Sequence, residues 1–281
     1  MSYKLTKVNY INKQIESLDL DFKPRDFCCV RNEIYFVYEY GIGRIFDNVI
    51  DLDWHNNLGF VEETDLTTLS SITFNKNHNS LFIVAENGSQ IVKIKLDMLN
   101  YEEVIPRRKA NEFKKKYLTS NSETYIASFG FKTVWSVTNC HRCFILDEDK
   151  ALPLIGCGKP GFSISKLDKS NICYPKGITI MNNAIYFADS GNNTLRGIQD
   201  EKIYTIIDDC DSLKDVIFCN NKLFFVNDNV IHMLSSEGDA SHLFEVYKSE
   251  NTICSFDILN KDTVYVLERD YATTPSETQN H

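Results

Sequence analysis

The chain of 281 residues is 43% hydrophobic and 25% charged, with a formal net charge of −9 and a pI near 5.2. These proportions exclude a wholly disordered or collagen-like chain, and the net acidity disfavours general nucleic-acid binding. We find no apolar run long enough to span a membrane and no apolar leader, so we expect a cytoplasmic protein. The nine cysteines then fit mostly buried thiols in a reducing compartment.

Six apolar tetrapeptides of strand type recur in chain order at intervals of about 46 residues. They are Ile34–Val37, Leu81–Val84, Val134–Val137, Ile185–Ala188, Leu223–Val226 and Val264–Leu267. Another β-type run and a polar turn precede each tetrapeptide, and a third run and often a fourth follow it. Six four-stranded antiparallel units predict an all-β, six-bladed β-propeller, because stacking such sheets around an axis buries both faces of each one.

Closure of such a ring requires the two ends of the chain to meet. The sixth unit has two clear strands, Ile253–Ile258 and Thr263–Leu267, whereas the strand-like segment Tyr3–Ile11 has no partner of its own. We expect this N-terminal strand to close the last blade within a single domain spanning residues 1–270. A sixth blade of only three strands is the alternative. Residues 271–281 are polar and are predicted to form a flexible tail.

A basic segment separates the second unit from the third. Residues 107–116 hold six basic side chains and one acidic one, and Arg107–Tyr117 is the one stretch that resembles a helix. Connections between blades share a propeller face with the middle hairpin turn of each blade. The functional interpretation is that an acidic partner, or phosphates, binds this face, and a solvated loop is the favoured alternative. The candidate binding residues are Arg107, Arg108, Lys114, Lys115, Lys116, His141 and Arg142.

Cys140 and Cys143 have the C-x-x-C spacing of a redox pair or of half a zinc site. The redox version usually begins a helix, whereas this motif falls on a predicted hairpin turn. No second C-x-x-C is present to complete a zinc tetrad. Ordinary cysteines beside a turn are therefore the favoured interpretation.

Acidic residues occupy equivalent places in two of the predicted innermost strands. Asp26 and Asp215 each lie eight residues before a tetrapeptide, where Gly177 stands in the fourth unit, and Glu123 is close to the same place in the third. Carboxylates that converge on the mouth of the axial channel could bind Ca²⁺. Acidic residues are common at the starts of strands, and ordinary strand-start residues are the favoured interpretation.

The fourth unit carries a denser motif over residues 155–198. A segment that contains Gly156, Gly158 and PGF precedes PKGI at 175–178, and ADSGNNTLR follows the next strand at 188–196. This segment resembles an NHL repeat, and the resemblance implies an NHL-like propeller. We expect Asp189 and Asn192 to bond turn amides, Gly191 to supply a positive φ, and Gly177 to let the innermost strand begin close to the axis.

The sequence leaves two classes of function open. The favoured one is a non-catalytic NHL-repeat scaffold, without a cofactor, that binds a protein or other macromolecular partner through loops on one face. The alternative is a calcium-dependent hydrolase or lyase, similar to the lactonase propellers, with Asp26 and Asp215 as metal ligands at the axial channel mouth. The scaffold is favoured because no nucleophile elbow, phosphate-binding loop or zinc-protease motif occurs in the sequence.

Overall fold

A computed structural model describes residues 2–58, 66–118, 121–163, 166–181, 183–237 and 240–270. These residues form 24 strands and one α-helix, and the strands are arranged as six four-stranded antiparallel sheets around an axis. The predicted six-bladed β-propeller is therefore confirmed. The predicted tail, 271–281, lies outside the described residues. In the part of the chain that is described, no helix has the length and apolar character needed to cross a membrane.

The strands follow one another from blade to blade. The first two strands in sequence, β1 (Tyr3–Asn9) and β2 (Gln14–Leu20), belong to the last blade, blade 6. Blade 1 comprises β3 (Pro24–Val30), β4 (Glu33–Tyr38), β5 (Gly41–Phe46) and β6 (Val49–Asp51). Blade 2 comprises β7 (Ser71–Asn75), β8 (Ser80–Ala85), β9 (Gln90–Lys95) and β10 (Asn100–Glu103). The helix α1 (Arg107–Tyr117) leads from blade 2 to blade 3.

The remaining blades repeat the same order. Blade 3 comprises β11 (Thr124–Phe129), β12 (Lys132–Val137), β13 (Arg142–Asp147) and β14 (Lys150–Ile155). Blade 4 comprises β15 (Pro175–Met181), β16 (Ala184–Asp189), β17 (Thr194–Gln199) and β18 (Lys202–Ile207). Blade 5 comprises β19 (Leu213–Cys219), β20 (Lys222–Asn227), β21 (Val230–Glu237) and β22 (Ala240–Lys248). Blade 6 is completed by β23 (Thr252–Asn260) and β24 (Thr263–Arg269).

Every predicted tetrapeptide lies in the second strand of its blade, where both sheet faces are covered. In β20, for example, the side chains from Leu223 to Val226 are all at most 5% exposed. The buried side chains form six apolar clusters in the described part of the chain, one between each pair of neighbouring blades. Since burial of apolar surface is the main favourable term in folding, the ring as a whole carries the core.

Both ends of the chain build blade 6. The whole of β1 pairs antiparallel with β24, with Thr6 opposite Val266, which confirms the predicted closing strand. The N-terminus also supplies a second strand, since β2 pairs with β1 along its full length. We did not predict β2 because it is the outer strand of its blade and, of its seven residues, only Leu20 is buried.

Hydrogen bonds from side chains join the innermost strand of each blade to the next blade. Each innermost strand has a strand neighbour on one side only, so some backbone amides face an unpaired edge. In five of the six interfaces, side chains of the preceding blade accept hydrogen bonds from these amides. In the sixth, between blades 3 and 4, one hydroxyl of β12 and one of the turn after it donate hydrogen bonds to carbonyls of β15. The pairs are Asp26 with Ile72, Ser71 with Ile126, Thr179 with Phe218, Asp215 with Phe256, Asp257 with Cys29, Ser136 with Lys176 and Thr138 with Pro175.

The motif of the fourth unit is structural. Asp189 accepts from the amide of Cys173 and forms an ion pair with Arg196 at 2.9 Å, both side chains being fully buried. Asn192 donates to a backbone carbonyl and to Asp189 rather than accepting from an amide. The expected positive φ at Gly191 is wrong, because Asn193 takes the left-handed conformation, with φ 54°. Gly191 is needed for a different reason, since a Cβ there would lie 2.5 Å from the sulfur of Cys173.

Gly177 also permits a close approach. A Cβ at this position would lie 2.4 Å from the Cα of Asp215, so the glycine lets β15 pack against β19 beside the axis. We expected Gly177 to let the innermost strand begin close to the axis, and the close approach that the structure shows is to the neighbouring innermost strand.

A buried carboxylate fastens the closing blade. Glu268 on β24 is fully buried, and its oxygens accept hydrogen bonds from the hydroxyls of Thr6, Tyr247 and Ser249. The ammonium of Lys4 on β1 lies 3.5 Å from the same carboxylate. Glu268 therefore joins the two ends of the chain to each other and to blade 5.

We expect Glu268→Ala to lower the free energy of unfolding by about 3 kcal/mol, because the hydroxyls of two buried residues and of the half-buried Tyr247 lose their acceptor and Lys4 loses its counter-ion. Glu16→Ala is a suitable control, since Glu16 is exposed and pairs with Lys7 at the surface. The control should change stability by less than about 0.5 kcal/mol. Urea unfolding followed by tryptophan fluorescence measures both. Equal stability of the two variants would contradict this role of Glu268.

Candidate functional site

The propeller has two distinct ends. The connecting face carries the connections between blades and the middle hairpin turn of each blade, including residues 104–118, 121–123, 138–141, 156–163 and 166–174. The hairpin face, at the opposite end of the axis, carries the turn between the first and second strands of each blade and the turn between its third and fourth strands. All six innermost strands run from the connecting face to the hairpin face, so residues at their starts gather at one end of the channel.

Asp26 lies at this end of the channel and is fully engaged in hydrogen bonds. One carboxylate oxygen accepts from the amide of Phe27 at 2.9 Å and the hydroxyl of Ser255 at 2.7 Å. The other accepts from the hydroxyl of Ser71 at 2.7 Å and the amide of Ile72 at 3.0 Å. Asp26 therefore joins blades 6, 1 and 2. Burial raises the pKa of its carboxyl, and these hydrogen bonds oppose that rise.

Asp215 and Asp257 share the electrostatic environment of Asp26. Burial raises the pKa of Asp215 well above its ordinary value, and the charges of Asp26 and Asp257 raise it further. Burial also raises the pKa of Asp257 to about 6, against the opposing effect of the amides of Cys29 and Ile258. The axis thus brings together the two predicted carboxylates and a third that sequence reasoning did not identify. The signal for Asp257 was weak, because bulges in β23 shift its register relative to the other blades.

The neighbouring groups at this end of the channel belong to blades 3 and 4. Burial raises the pKa of the Tyr125 hydroxyl well above its usual range, and the charges of Glu123, Asp215 and Asp26 add to the rise. Glu123 forms an ion pair with Lys176 at 3.3 Å, which links the residue before β11 to the start of β15. No group of three or more His, Cys, Asp and Glu side chains in the described ranges is placed to hold a metal ion.

The predicted helix is present as α1, with the predicted bounds. Its buried residues, Ala110 and Phe113, face the core between blades 2 and 3, where the ring of Phe113 lies 4.7 Å from that of Phe144. The basic side chains remain on the solvent side of the helix, and we call them the α1 basic surface. Its members are Arg107, Arg108, Lys109, Lys114, Lys115 and Lys116. Three lysines in the last turn also stabilise the negative end of the helix dipole.

Acidic neighbours neutralise part of the α1 basic surface. Ion pairs join Arg107 to Glu103, Arg108 to Glu112, Lys109 to Asp149 and Lys114 to Glu86. Lys116 lies over the ring of Tyr117 at 5.0 Å, and no acidic partner within the described ranges is assigned to it or to Lys115. The surface therefore keeps a local excess of positive charge on a protein of net charge −9.

Arg142 and His141 are both close to the connecting face but have different surroundings. The guanidinium of Arg142 lies 5.0 Å from the Tyr117 ring at the end of α1 and donates to the carbonyl of Cys157. His141 is buried, and its Nδ1 accepts from the amide of Tyr174 at 3.1 Å. With φ 49°, His141 takes the left-handed turn position that Asn193 occupies in blade 4. The structure thus brings Arg142 to α1 and leaves His141 inside the turn.

The C-x-x-C cysteines flank this turn, as the favoured interpretation predicts. Neither cysteine forms a disulfide, and both are buried. Burial raises the pKa of Cys143 well above its ordinary value, and the charge of Asp189 raises it further. A thiol held in its protonated form is a poor nucleophile, so the environment of Cys143 opposes redox reactivity.

A cleft of about 560 Å³ lies between blades 6 and 1, toward the hairpin face. Its walls include apolar side chains such as Leu5 and Ile45 and charged ones such as Lys7 and Glu33. Each of these two charged side chains already has an oppositely charged neighbour, Glu16 and Arg44 respectively. The walls include none of the candidate binding or metal-ligating residues predicted from the sequence.

Several solved structures share this fold at low sequence identity. A catalytically inactive virginiamycin B lyase from Staphylococcus aureus, in complex with quinupristin, has a TM-score of 0.56 and 15% identity over 94% of this chain and 87% of that chain. An auxiliary nutrient binding protein from Bacteroides thetaiotaomicron has a TM-score of 0.59 and 12% identity over 77% of this chain and 60% of that chain. A chain of a nidogen/laminin complex has a TM-score of 0.56 and 12% identity over 86% of this chain and 93% of that chain.

At these identities the similarity shows the propeller fold alone. No protein-family model matches the chain, and no curated protein matches it either. The resemblance of residues 155–198 to an NHL repeat therefore stays a prediction, and the propeller fold is compatible with it.

The raised pKa of Asp257 predicts an unusual pH dependence of stability. An unfolded aspartate titrates near 3.8 and the folded one near 6, so the folded state binds the proton more tightly. The free energy of unfolding should then fall by up to about 3 kcal/mol as the pH rises from about 4 to about 6 through this group. We expect Asp257→Asn to lose this part of the slope, measured by urea unfolding at a series of pH values.

Asp21→Asn, at an exposed position before β3, serves as the control and should keep the slope of the unmodified protein. The interpretation fails if both variants and the parent protein show the same pH dependence.

Proposed function

We propose that this protein is a non-catalytic propeller scaffold that binds an acidic protein partner through its connecting face. The observation that carries the proposal is the α1 basic surface, which is fixed to the ring by a buried apolar side and is incompletely neutralised by its acidic neighbours. A rigid ring that presents charged loops is a common basis for partner binding, because function resides in loops that a scaffold positions.

Charge complementarity explains how such a surface would act. Long-range attraction between the α1 basic surface and an acidic partner would speed association and orient the partner. Arg142 extends the positive region toward blade 3, and its guanidinium is held in place by the Tyr117 ring and the carbonyl of Cys157. The resemblance of one blade to an NHL repeat is compatible with a binding scaffold of this kind.

The alternative, a calcium-dependent hydrolase or lyase at the channel mouth, has weaker support. Burial and, after it, the charge of Asp26 raise the pKa of Asp215, and this repulsion between the predicted ligands would favour a cation at the axis. Asp26, however, already accepts four hydrogen bonds from three blades. Likewise, the histidines of the described ranges all lie outside the innermost strands, so a general base beside Asp26 would have to come from another residue type.

We expect the double variant Lys115→Gln with Lys116→Gln to weaken binding to immobilised poly-L-glutamate by about tenfold at low salt, because each lost charge removes part of the electrostatic attraction. The matched control is Lys159→Gln with Lys169→Gln, which removes the same charge from exposed positions elsewhere on the connecting face. Surface plasmon resonance at two salt concentrations measures both. Equal losses in the two double variants would refute a specific role for α1.

For the axial carboxylates we expect no rise in the thermal unfolding midpoint when millimolar Ca²⁺ is added, and no fall when a chelator is added. A ligand that binds only the folded state must raise this midpoint, so the measurement discriminates between the two functions. A calcium-dependent rise that disappears in Asp26→Asn with Asp215→Asn would favour the enzyme. Since those substitutions also remove structural hydrogen bonds, terbium luminescence of the unmodified protein provides a second readout.

A further inference from the structure

The centre of the hairpin face carries a ring of positive charge. The turns between the first and second strands of the six blades surround the mouth of the channel at this end, since every innermost strand ends there. Five of these six turns carry a basic residue at the turn or directly after it. We call these residues the basic collar: Arg31, Lys76, Lys132, Lys222 and Lys261.

The members of the basic collar are available to a ligand. Arg31, Lys76, Lys132 and Lys261 are exposed, and Lys222 is half-buried. The contacts that they make are weak, since Lys132 donates to the side-chain oxygen of Asn183 at 3.4 Å and Lys261 lies 4.0 Å from Asp262. The collar therefore retains most of its charge.

The collar surrounds a narrow space. Burial raises the pKa of the Cys219 thiol at the end of β19 in blade 5, and the positive charge of Lys76 in blade 2, on the opposite side of the ring, opposes that rise. His78 of blade 2 contacts Phe131 of blade 3, with the ring centroids 5.2 Å apart. These contacts place neighbouring and opposite turns close enough for one ligand to touch several of them.

An aromatic side chain projects from the same ring of turns. Phe131, at the tip of the blade 3 turn, is 96% exposed, and Phe129 just before it is 48% exposed. Large aromatic side chains with this exposure are unusual on a monomer and are enriched at the centres of protein interfaces. The collar thus combines positive charges with one apolar anchor.

A buried asparagine holds this anchor in position. Asn75 is 1% exposed, and its amide donates to the carbonyl of Gly130 at 2.9 Å and to the hydroxyl of Ser128 at 2.8 Å. Its side-chain oxygen accepts from the amides of Asn77 and His78 in its own turn. One side chain therefore fixes two adjacent turns, which reduces the entropy that a bound partner would have to remove.

Negative charges border the collar on the same face. The turns between the third and fourth strands lie farther from the axis, and their exposed acidic residues include Asp47, Asp97, Glu148, Asp200 and Glu201. Three exposed lysines lie in or directly after these turns, Lys13, Lys150 and Lys202, so the described part of the border keeps a smaller acidic excess. Such a border repels a long polyanion that extends across the face but permits a short acidic segment that ends at the centre. The charge pattern favours a peptide segment over a nucleic acid.

We propose that the basic collar and Phe131 form a second interaction surface, on the face opposite α1, that binds a short acidic protein segment carrying an apolar side chain. The carboxylates of the segment pair with the collar, and its apolar side chain packs on Phe131. This surface lies on the opposite face from the α1 basic surface, so loss of binding at one surface would leave binding at the other intact.

The test uses fluorescence anisotropy with a labelled peptide of about 12 residues that alternates glutamate pairs with leucine. The collar variant is Arg31→Glu with Lys76→Glu and Lys132→Glu. Its matched control is Lys13→Glu with Lys150→Glu and Lys202→Glu, which makes the same charge change at exposed positions in the outer turns of the same face. Thermal unfolding midpoints verify that every variant folds.

We expect the collar variant to bind the peptide at least about tenfold more weakly than the parent protein, and the control to bind within about threefold of it. Phe131→Ala should weaken binding several-fold without changing its salt dependence, because it removes an apolar contact. The double variant Lys115→Gln with Lys116→Gln should leave most of the collar-dependent binding intact, which separates this surface from α1.

Three results would overturn the proposal. The first is that the peptide does not bind, or that it binds the collar variant as tightly as the parent protein. Another is an equal loss in the collar variant and its control, which would indicate attraction to net charge alone. The third is collar-dependent binding of a single-stranded uridine homopolymer that is tighter than binding of the peptide, which would assign the surface to nucleic acid.

Discussion

The unpaired inner edge of each blade is the constraint on which this propeller depends. Backbone amides at that edge face the channel without a strand partner, and a buried amide left without an acceptor is costly. Short polar side chains of the preceding blade accept from them, for example Ser71 from Ile126 and Thr179 from Phe218. The same requirement places Asp26, Asp215 and Asp257 at the axis, so the electrostatics of the channel follow from how the ring is held together.

This origin explains which parts of the site the sequence could predict. Apolar tetrapeptides revealed the second strands because these are buried on both faces, and the charge run of α1 was visible without a structure. Outer strands such as β2 and β6 were missed because exposed strands need little apolar sequence. The position of Asp26 was predicted, but a carboxylate that caps an amide and one that binds a metal look the same in a sequence. Only the four hydrogen bonds of Asp26 show the capping role.

The two faces of the ring differ in how they present positive charge. On the connecting face the charge is carried by one helix, which packs through Phe113 beside the outer part of blades 2 and 3. On the hairpin face it is distributed over five turns around the axis and lies inside a border of acidic residues. Because the protein has a net charge of −9, negative charge predominates outside these two positive regions. Such contrast favours orientation of a charged partner more than tight binding.

The construction of blade 6 also has a consequence for synthesis of the protein on the ribosome. Strands β1 and β2 emerge first, but their partner β24 is made only after the other blades. Until then, the apolar side chains of β1, including Leu5 and Val8, lack the strand beside which they are buried. Contacts across so long a stretch of chain form slowly, because closing a large loop costs entropy. The incomplete propeller is therefore an open, aggregation-prone arc until β24 is released.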